Sequence, residues 1–410
     1  MLVHVVDPSA YTPPYDHALC RALAAAGAEV TLFTSRFAYG PIAPADGYAR
    51  RELFYRAALG AHDRSKLGRR VRVAVKLAEH VPDMLRYRRL AREAEVVHFQ
   101  WLPVQHLDAH LLPPRRSAAG ARRPLVLTAH DILPREPRPG QLVAQRRLYE
   151  RFDAIVVHSE HGRERLIGEL EVGPERVHVI PHGVLRPWEG APAGECPAGE
   201  PRLPPELPQE GEGPVVLFFG LLRPYKGLEE LLGAWRGAGE ELPAGAELWI
   251  VGMPRMDLAP LRAAASGGER PAGGQPAGMR PARRVRLLER FVGDAEIHAL
   301  MRRADLVVLP YREADQSGVA FTALGAGVGL LLSDVGGFPE LAATGAARTF
   351  SAGDVAALGK ALRELLDDPA ALAAMAERAR AAADGPYAWG GIARRTLGLY
   401  EELLREDPRR

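Results

Sequence analysis

The sequence predicts an α/β protein built as two parallel, doubly wound sheets. Three observations carry that expectation. Short apolar runs of strand length alternate with stretches of helical periodicity over nearly all 410 residues. The runs are apolar almost throughout, as in strands covered on both faces by crossover helices. The alternation breaks once near the middle, in a segment rich in Gly, Pro, Ala and Glu, and then restarts.

In the first half, strands are read at Leu2–Val6, Glu29–Thr34, Val96–Phe99, Leu125–Ala129, Ala154–Val157 and Val177–Ile180. The most legible helix there is His17–Ala26. The break, Pro187–Gly213, has no period and reads as an interdomain linker or mobile loop. Strands resume at Val215–Phe219, Glu247–Val251, Val285–Leu288, Leu306–Pro310 and Leu330–Ser333. Helices between and after them are Leu228–Trp235, Ala295–Arg303, Val319–Ala326 and Pro339–Ala343. A second low-complexity piece, Ala264–Arg283, reads as a disordered surface insertion. Two more helical patterns, Val355–Leu366 and Pro369–Ala383, precede a break at Gly385-Pro386 and a last helix, Trp389–Leu404. The expected division is therefore a domain over 1–186, a linker over 187–213, a second domain over 214–385 and a C-terminal segment over 386–410. Two sheets of similar size joined by a linker imply facing Rossmann-like domains with a cleft between them, a favoured place for small molecules.

Composition narrows the function. A formal net charge of +2 carries no nucleic-acid signature. Cys20 and Cys196 stand far apart in unlike contexts, which fits a reducing compartment rather than a disulfide framework. The N-terminus reads as a first strand, not a signal peptide, and no apolar run approaches the roughly 20 residues of a membrane span. A cytoplasmic location is expected. A basic segment (Arg64, Lys66, Arg69, Arg70, Arg72, Lys76, Arg86, Arg88, Arg89 and Arg92) surrounds Val73, Val75, Leu77 and Leu85. It reads as a solvated face or, functionally, as peripheral contact with an anionic lipid surface at the inner membrane face or with a phosphorylated acceptor.

Four places can carry chemistry. In Val215–Leu232 a buried strand ends in a turn, Gly220–Gly227, that holds Arg223 and Lys226 before a helix begins. Strand C-termini of parallel sheets are where such folds bind ligands, and helix N-termini favour anions. Solvated loop cations and a phosphate site are both readings of that turn alone. The strand Leu306–Leu309 likewise ends in a polar loop, Arg312–Gly318, opening a helix. Ser317 and Gly318 there suit either a second anion cradle or an ordinary helix cap. Two cradles in one sheet suit a diphosphate. His130 and Asp131 follow the strand Leu125–Ala129, where an imidazole can donate to a hydroxyl or carry a proton, or simply be structural. Tyr15 and Asp16 close the first loop, Asp7–Asp16, as acceptor-site candidates or as a helix cap and its neighbour. His98 lies inside a strand pattern and reads as structural, while His158, His161 and His182 have no spacing argument. No His, Cys and carboxylate spacing suits a metal. Gly-x-Gly-x-x-Gly, the P-loop and Gly-x-Ser-x-Gly are all absent, against a dehydrogenase, a P-loop kinase and an α/β-hydrolase.

Taken together, the chain resembles a family-4 retaining glycosyltransferase of the GT-B fold over nearly its full length. The likeness rests on Gly220-Leu-Leu-Arg-Pro-Tyr-Lys-Gly227, on Arg303-Ala-Asp-Leu-Val-Val-Leu-Pro310 with Gln316-Ser-Gly-Val319, on Ser333-Asp-Val-Gly-Gly-Phe-Pro-Glu340 and on Val179-Ile-Pro-His-Gly-Val184. It implies an acceptor-binding N-terminal domain, a C-terminal domain that holds a nucleotide-sugar, and a last helix that crosses back to the N-terminal domain. Arg223 and Lys226, after Gly220, would grip the donor diphosphate; Ser317, Gly318 and Val319 would offer it backbone donors. Val292, in Arg290-Phe-Val-Gly293, would contact the base, and His130 would lie beside the transferring sugar. The sequence departs from the family twice. Where the family often has two Glu separated by seven residues, Glu313 or Asp315 can stand for the first, but Phe321, Thr322 and Ala323 hold no second acid. The glycine-rich first loop is replaced by Tyr11-Thr-Pro-Pro-Tyr15.

The implied reaction is transfer of a sugar from a UDP-, GDP- or similar sugar to a hydroxyl acceptor. No cofactor and no metal are expected, since cations and N–H donors meet the leaving diphosphate and no Asp-x-Asp is evident. Retention would follow a front-face path in which the departing phosphate accepts the proton. A nucleotide-sugar epimerase and a non-catalytic sugar-nucleotide-binding protein are the rival readings.

Overall fold

All strand pairings in both sheets are parallel. The structure, a computed structural model, describes residues 1–60, 69–116, 120–133, 139–186, 201–211, 213–266 and 284–406. The described chain divides into two compact units: Met1–Gly183 with Tyr387–Arg410, and Val184–Pro386.

Unit 1 contains β1 (Leu2–Asp7), α1 (Pro13–Ala25), β2 (Glu29–Ser35), β3 (Ala49–Phe54), α2 (Arg56–Gly60), α3 (Arg69–Leu90) and β4 (Val96–Phe99). It continues with α4 (Gln105–Leu111), β5 (Leu125–Thr128), α5 (Gln141–Tyr149), β6 (Ala154–Val157), α6 (Glu160–Leu170) and β7 (Val177–Val179). Its sheet order is β3-β2-β1-β4-β5-β6-β7. Unit 2 holds β8 (Val215–Phe219), α7 (Leu228–Ala238), β9 (Glu247–Val251), α8 (Ala259–Ser266), β10 (Arg284–Leu288), α9 (Asp294–Arg303) and β11 (Leu306–Leu309). Then come α10 (Gly318–Ala326), β12 (Leu330–Ser333), α11 (Phe338–Ala342), β13 (Ala347–Phe350), α12 (Val355–Leu366) and α13 (Pro369–Asp384). Its order is β10-β9-β8-β11-β12-β13. The last helix, α14 (Trp389–Arg405), belongs to unit 1.

The apolar runs read from the sequence are the central strands: β4, β5, β6, β8, β11 and β12 are buried almost throughout. Two strands went unread, β3 and β13, and both are sheet edges. Ala49-Arg-Arg-Glu-Leu-Phe54 and Ala347-Arg-Thr-Phe350 carry polar residues because an edge strand is half exposed, so neither shows an apolar run. The long helix α3 also went unread, because its exposed positions include Val71, Val73, Leu77 and Leu85 and blur the helical period.

Three sequence expectations need correction. Tyr15 and Asp16 do not close a loop; they lie inside α1, which starts at Pro13 because Pro13-Pro14 occupy N1 and N2, where proline suits a helix. Ala264 to Ser266 end α8, and the rest of the low-complexity piece, 267–283, lies outside the described residues. In the segment expected as a linker, 187–200 and 212 lie outside the described residues, but 201–211 is tied to unit 2. Glu206 pairs with Arg290 at 2.8 Å, Leu207 is buried, and the Gly211 carbonyl accepts from Arg303 at 3.2 Å.

The C-terminal helix is anchored deep in unit 1. It packs on α1, and its Tyr400 hydroxyl meets Nδ1 of His98, inside β4, at 2.5 Å. The other nitrogen of His98 meets Thr128 Oγ1 at 2.7 Å. Burial lowers the His98 pKa to about 3, so the ring is neutral and wholly satisfied.

Candidate functional site

In unit 2 the winding reverses between β8 and β11. The loops leaving those two strands lie beside each other at this switch point, at the C-terminal edge of the sheet, where such folds bind ligands. They are the two loops singled out in the sequence, Gly220–Gly227 and Arg312–Gly318. Glycines hold them together. Gly227 has φ +67, and a Cβ there would lie 1.8 Å from the Pro310 carbonyl oxygen. Only glycine lets the first loop rest on the end of β11. Arg312 N then donates to the Tyr225 carbonyl at 2.8 Å, and Tyr311 and Ser317 hydroxyls meet at 3.3 Å. The Ser333–Glu340 motif joins in the same way. A Cβ on Gly336 would lie 1.7 Å from the Ala314 carbonyl, Gly337 N donates to Asp315 O at 3.1 Å, and Ser333 Oγ donates to Tyr311 O at 2.6 Å.

Within this cluster Lys226 is only 7% exposed. Its ammonium lies 4.8 Å from the Tyr311 ring centroid and 5.9 Å from that of Phe218. A Cβ added at Gly220 would stand 3.0 Å from Lys226 Nζ and 3.3 Å from Val319 Cγ2. The space left by that missing Cβ is thus shared by the ammonium and the first turn of α10. Ser317 is the N-cap of α10, but its hydroxyl makes no cap bond; the side-chain cap read as the ordinary alternative is not formed. The amides of Gly318 and Val319 have no partner among the described residues, as the first turn of a helix requires. Arg223 is exposed and has no ion pair with a described residue. A buried cation, an exposed cation and two amides without a described partner are the kinds of group that bind anions.

The residues expected at the base and ribose ends of a donor differ. Val292 is 3% exposed, in a loop fixed by Arg290, which binds Glu296 at 2.6 Å and Glu206. Phe291 beside it is 42% exposed, and burial raises the Asp294 carboxyl to about 6. Glu313 is exposed, whereas Asp315 is buried. No residue of α10 is acidic. Phe321, Thr322 and Ala323 are buried, and the Thr322 hydroxyl donates to the Gly318 carbonyl at 2.9 Å. The second carboxylate missing from the sequence is therefore not replaced from that helix.

In unit 1, His130 is buried, its Nε2 facing Gln100 Oε1 at 3.1 Å and its ring stacked on Trp101 at 5.0 Å. Burial holds it well below the ordinary histidine range, so it is neutral. With Nε2 donating to Gln100, its Nδ1 keeps a lone pair; such a ring accepts a hydrogen bond and is not a cationic donor. Sequence reasoning missed its company. His158 lies 5.2 Å from His130, His182 lies 5.1 Å from His158, and Tyr15 touches all three rings. The signal was available: His130, His158 and His182 stand one to three residues past the ends of β5, β6 and β7 in turn. His158 donates from Nδ1 to the Ile180 carbonyl at 2.9 Å, and its pKa falls to about 4 through burial. Tyr15 is 3% and Asp16 1% exposed. Asp16 is raised well above the usual carboxylate range by burial and by Asp7, to which it is hydrogen-bonded; it holds the proton of that pair. Asp7 in turn accepts the amides of Ser9, Tyr11 and Thr12. These two acceptor candidates thus build the wall behind the site rather than its surface. Among the described residues no group of three His, Cys, Asp or Glu is placed to hold a metal.

Comparison with known proteins bears on the family and the fold. Residues 15–184 match the family model described as Glycosyltransferase Family 4, and residues 213–368 match Glycosyl transferases group 1. The D-inositol 3-phosphate glycosyltransferase of Streptomyces avermitilis is 26% identical over 325 residues, which is 76% of this chain and 64% of that protein. The match thus spans just under two thirds of that relative. Sucrose-phosphate synthase from Thermosynechococcus elongatus superimposes with a TM-score of 0.68 at 18% identity, covering 98% of this chain and 99% of the other. Anabaena HepE in complex with UDP-glucose does so with a TM-score of 0.64 at 17% identity, covering 98% and 100%. At such identities the likeness shows the fold, GT-B, and not the activity.

Proposed function

We propose that this chain, which belongs to glycosyltransferase family 4 and carries the group 1 domain beside it, transfers a sugar from a nucleoside-diphosphate sugar to a hydroxyl acceptor. One observation carries the reading: Lys226 Nζ and the Val319 side chain of the first turn of α10 both border Gly220, at the switch point of unit 2, and the Gly318 and Val319 amides of that turn have no described partner. That arrangement meets a diphosphate, and leaving-group stabilisation is what glycosyl transfer demands. In the step itself the anomeric carbon–oxygen bond to the β-phosphate breaks. The acceptor oxygen bonds that carbon from the same face, and the departing phosphate oxygen takes the hydroxyl proton. The products are a glycoside of retained configuration and a nucleoside diphosphate. Lys226, Arg223 and the helix amides supply the positive charge for this step without a metal. A UDP-sugar is the first donor to test, given the UDP-glucose complex of HepE. The exposed Glu313 and the loop around Val292 are the candidates for the ribose and base ends.

The surface of α3 supports a finer proposal, peripheral contact with an anionic lipid face. Val73, Leu77 and Leu85 are exposed along one side, with Arg86, Arg88 and Arg89 exposed beside Leu85. Arg64 and Lys66 of the basic segment, and the side chains of Arg69, Arg70 and Arg72, lie outside the described residues. No described helix is long and apolar enough to cross a membrane.

The test is a thermal-shift panel of UDP, GDP, ADP and dTDP, because a ligand bound only by the native state raises its melting point. Transfer is then assayed with the sugar of the nucleotide that binds. Isomerised donor without acceptor would make the chain an epimerase; binding without transfer or hydrolysis would make it a non-catalytic binder. No shift with any nucleotide overturns the assignment.

A further inference from the structure

The switch point of unit 1 lies between β1 and β4, and the two loops leaving those strands are chemically unlike their counterparts in unit 2. Pro8–Thr12 and Gln100–Val104 contain no charged residue. They contribute instead an aromatic pair. The Tyr11 and Trp101 rings stack at 4.8 Å with an interplanar angle of 28°. Trp101 is half-buried and stacks on His130 with its planes only 13° apart. Tyr11 is 64% exposed, so the stack ends in a ring with a free face.

The loop is built to hold that ring in place. The buried Asp7 carboxylate accepts Tyr11 N at 2.6 Å, together with the amides of Ser9 and Thr12. Trp101 Nε1 donates to Thr12 Oγ1 at 3.0 Å. Ala10 sits at φ +47, a left-handed conformation that costs a non-glycine residue energy and that the loop nevertheless maintains. A surface tyrosine fixed this firmly has already lost much of the entropy that binding would otherwise take. A crevice at a switch point is a ligand place by topology. Here the chemistry on offer is a flat amphipathic face rather than a cationic cradle. The axial hydrogens of a pyranose form a flat apolar face of that size, while its hydroxyls stay in water.

We infer that the free face of Tyr11 is a subsite for a sugar ring of the acceptor, and for a ring other than the one that receives the new bond. The inference rests on the transfer reading above and adds the class of acceptor: an oligosaccharide or a glycoside with a distal ring. The order of the stack gives the second half of the statement. Trp101 stands between Tyr11 and His130, so a ring on Tyr11 lies two ring layers away from the histidine.

The test uses the full chain and a glycan array running from monosaccharides to hexasaccharides, probed with the parent, Tyr11→Ala and Tyr11→Phe. Tyr11 is exposed and its removal leaves Asp7 and its backbone contacts intact, so folding is checked by an unchanged melting point. At least one oligosaccharide should bind the parent and lose about tenfold in Tyr11→Ala, a stacking contribution near 1.4 kcal/mol, with recovery in Tyr11→Phe. Monosaccharides should not depend on Tyr11. The inference is overturned if no glycan depends on Tyr11, or if single rings depend on it as strongly as longer chains do. The nucleotide thermal shift reads unit 2 separately. Its absence would sink the transfer reading and leave the array result standing as a plain sugar-binding site.

Discussion

Replacing Lys226 by Met keeps the aliphatic stem and removes only the charge. The ammonium is 7% exposed and shares the Gly220 space with the start of α10, so it acts in a partly desolvated place. Two unit charges about 4 Å apart interact by about 4 kcal/mol at an effective dielectric of about 20. Much of that acts on the donor before reaction, because the diphosphate is already charged. The part that counts for turnover is what grows as the leaving group gains charge. Loss of one preorganised donor of this kind costs about 2.7 kcal/mol or more, roughly a hundredfold in kcat. Lys226→Ala should cost at least about tenfold by the same reasoning. Stability should move little. The cation–π contacts with Tyr311 and Phe218 are worth about 1 kcal/mol. Their loss is offset by no longer burying a charge. Initial rates of nucleoside diphosphate release, with a melting curve for each variant, decide the matter. If Lys226→Met keeps kcat within about threefold of the parent while folded, the assigned role is wrong. If it instead loses its fold, Lys226 is there to hold the loop, and the role falls equally.

Three further outcomes are expected. Gly227→Ala places a methyl group against the Pro310 carbonyl at positive φ and should cost about 2 kcal/mol or more, lowering the unit 2 transition in calorimetry by about 4 °C or more. An unchanged transition would mean that the two loops do not depend on each other. Tyr400→Phe leaves Nδ1 of the buried His98 without its partner and should cost about 1–3 kcal/mol in the denaturation midpoint of unit 1, with unit 2 unmoved. Equal midpoints would detach the C-terminal helix from the β4 core. Acid should weaken unit 1. His98 and His158 titrate near 3 and 4 when folded, and His130 and His182 well below the ordinary range, against about 6.5 when unfolded. The unfolded state therefore binds more protons as pH falls from about 6.5 towards 4, and stability drops there by about 1.4 kcal/mol per pH unit per histidine. Asp16, raised by burial, works in the opposite sense. Melting curves between pH 7 and pH 5 should show the slope, and His158→Gln should flatten it by one proton's worth; an identical slope would remove His158 from the account.

Much of the fold was legible because burial on both faces of a parallel sheet leaves its mark residue by residue. Val96–Phe99, Ala154–Val157, Val215–Phe219 and Leu330–Ser333 have the same limits in sequence and structure. Edge strands lack that mark, and the Arg-rich β3 shows why. Candidate site residues could be read wherever a strand end and a helix start lay next to each other in the chain. Arg223, Lys226, Ser317 and Gly318 were found that way. Tyr15 and Asp16 were found by the same logic but placed wrongly, since the helix began earlier, at Pro13, and turned both side chains inward. The cluster of His130, His158 and His182 was missed because its members come from three separate strands.

The sequence by itself determined the buried central strands, the two sheets they form and the positions of the loops at their functional edges. It also determined that α10 carries no acid. The tertiary structure alone decided which loops meet. Strand order, which local periodicity does not encode, sets β8 beside β11 and β1 beside β4. That order makes one switch point a cationic cradle and the other an aromatic platform, because packing such as Gly227 against Pro310 joins residues distant in the chain.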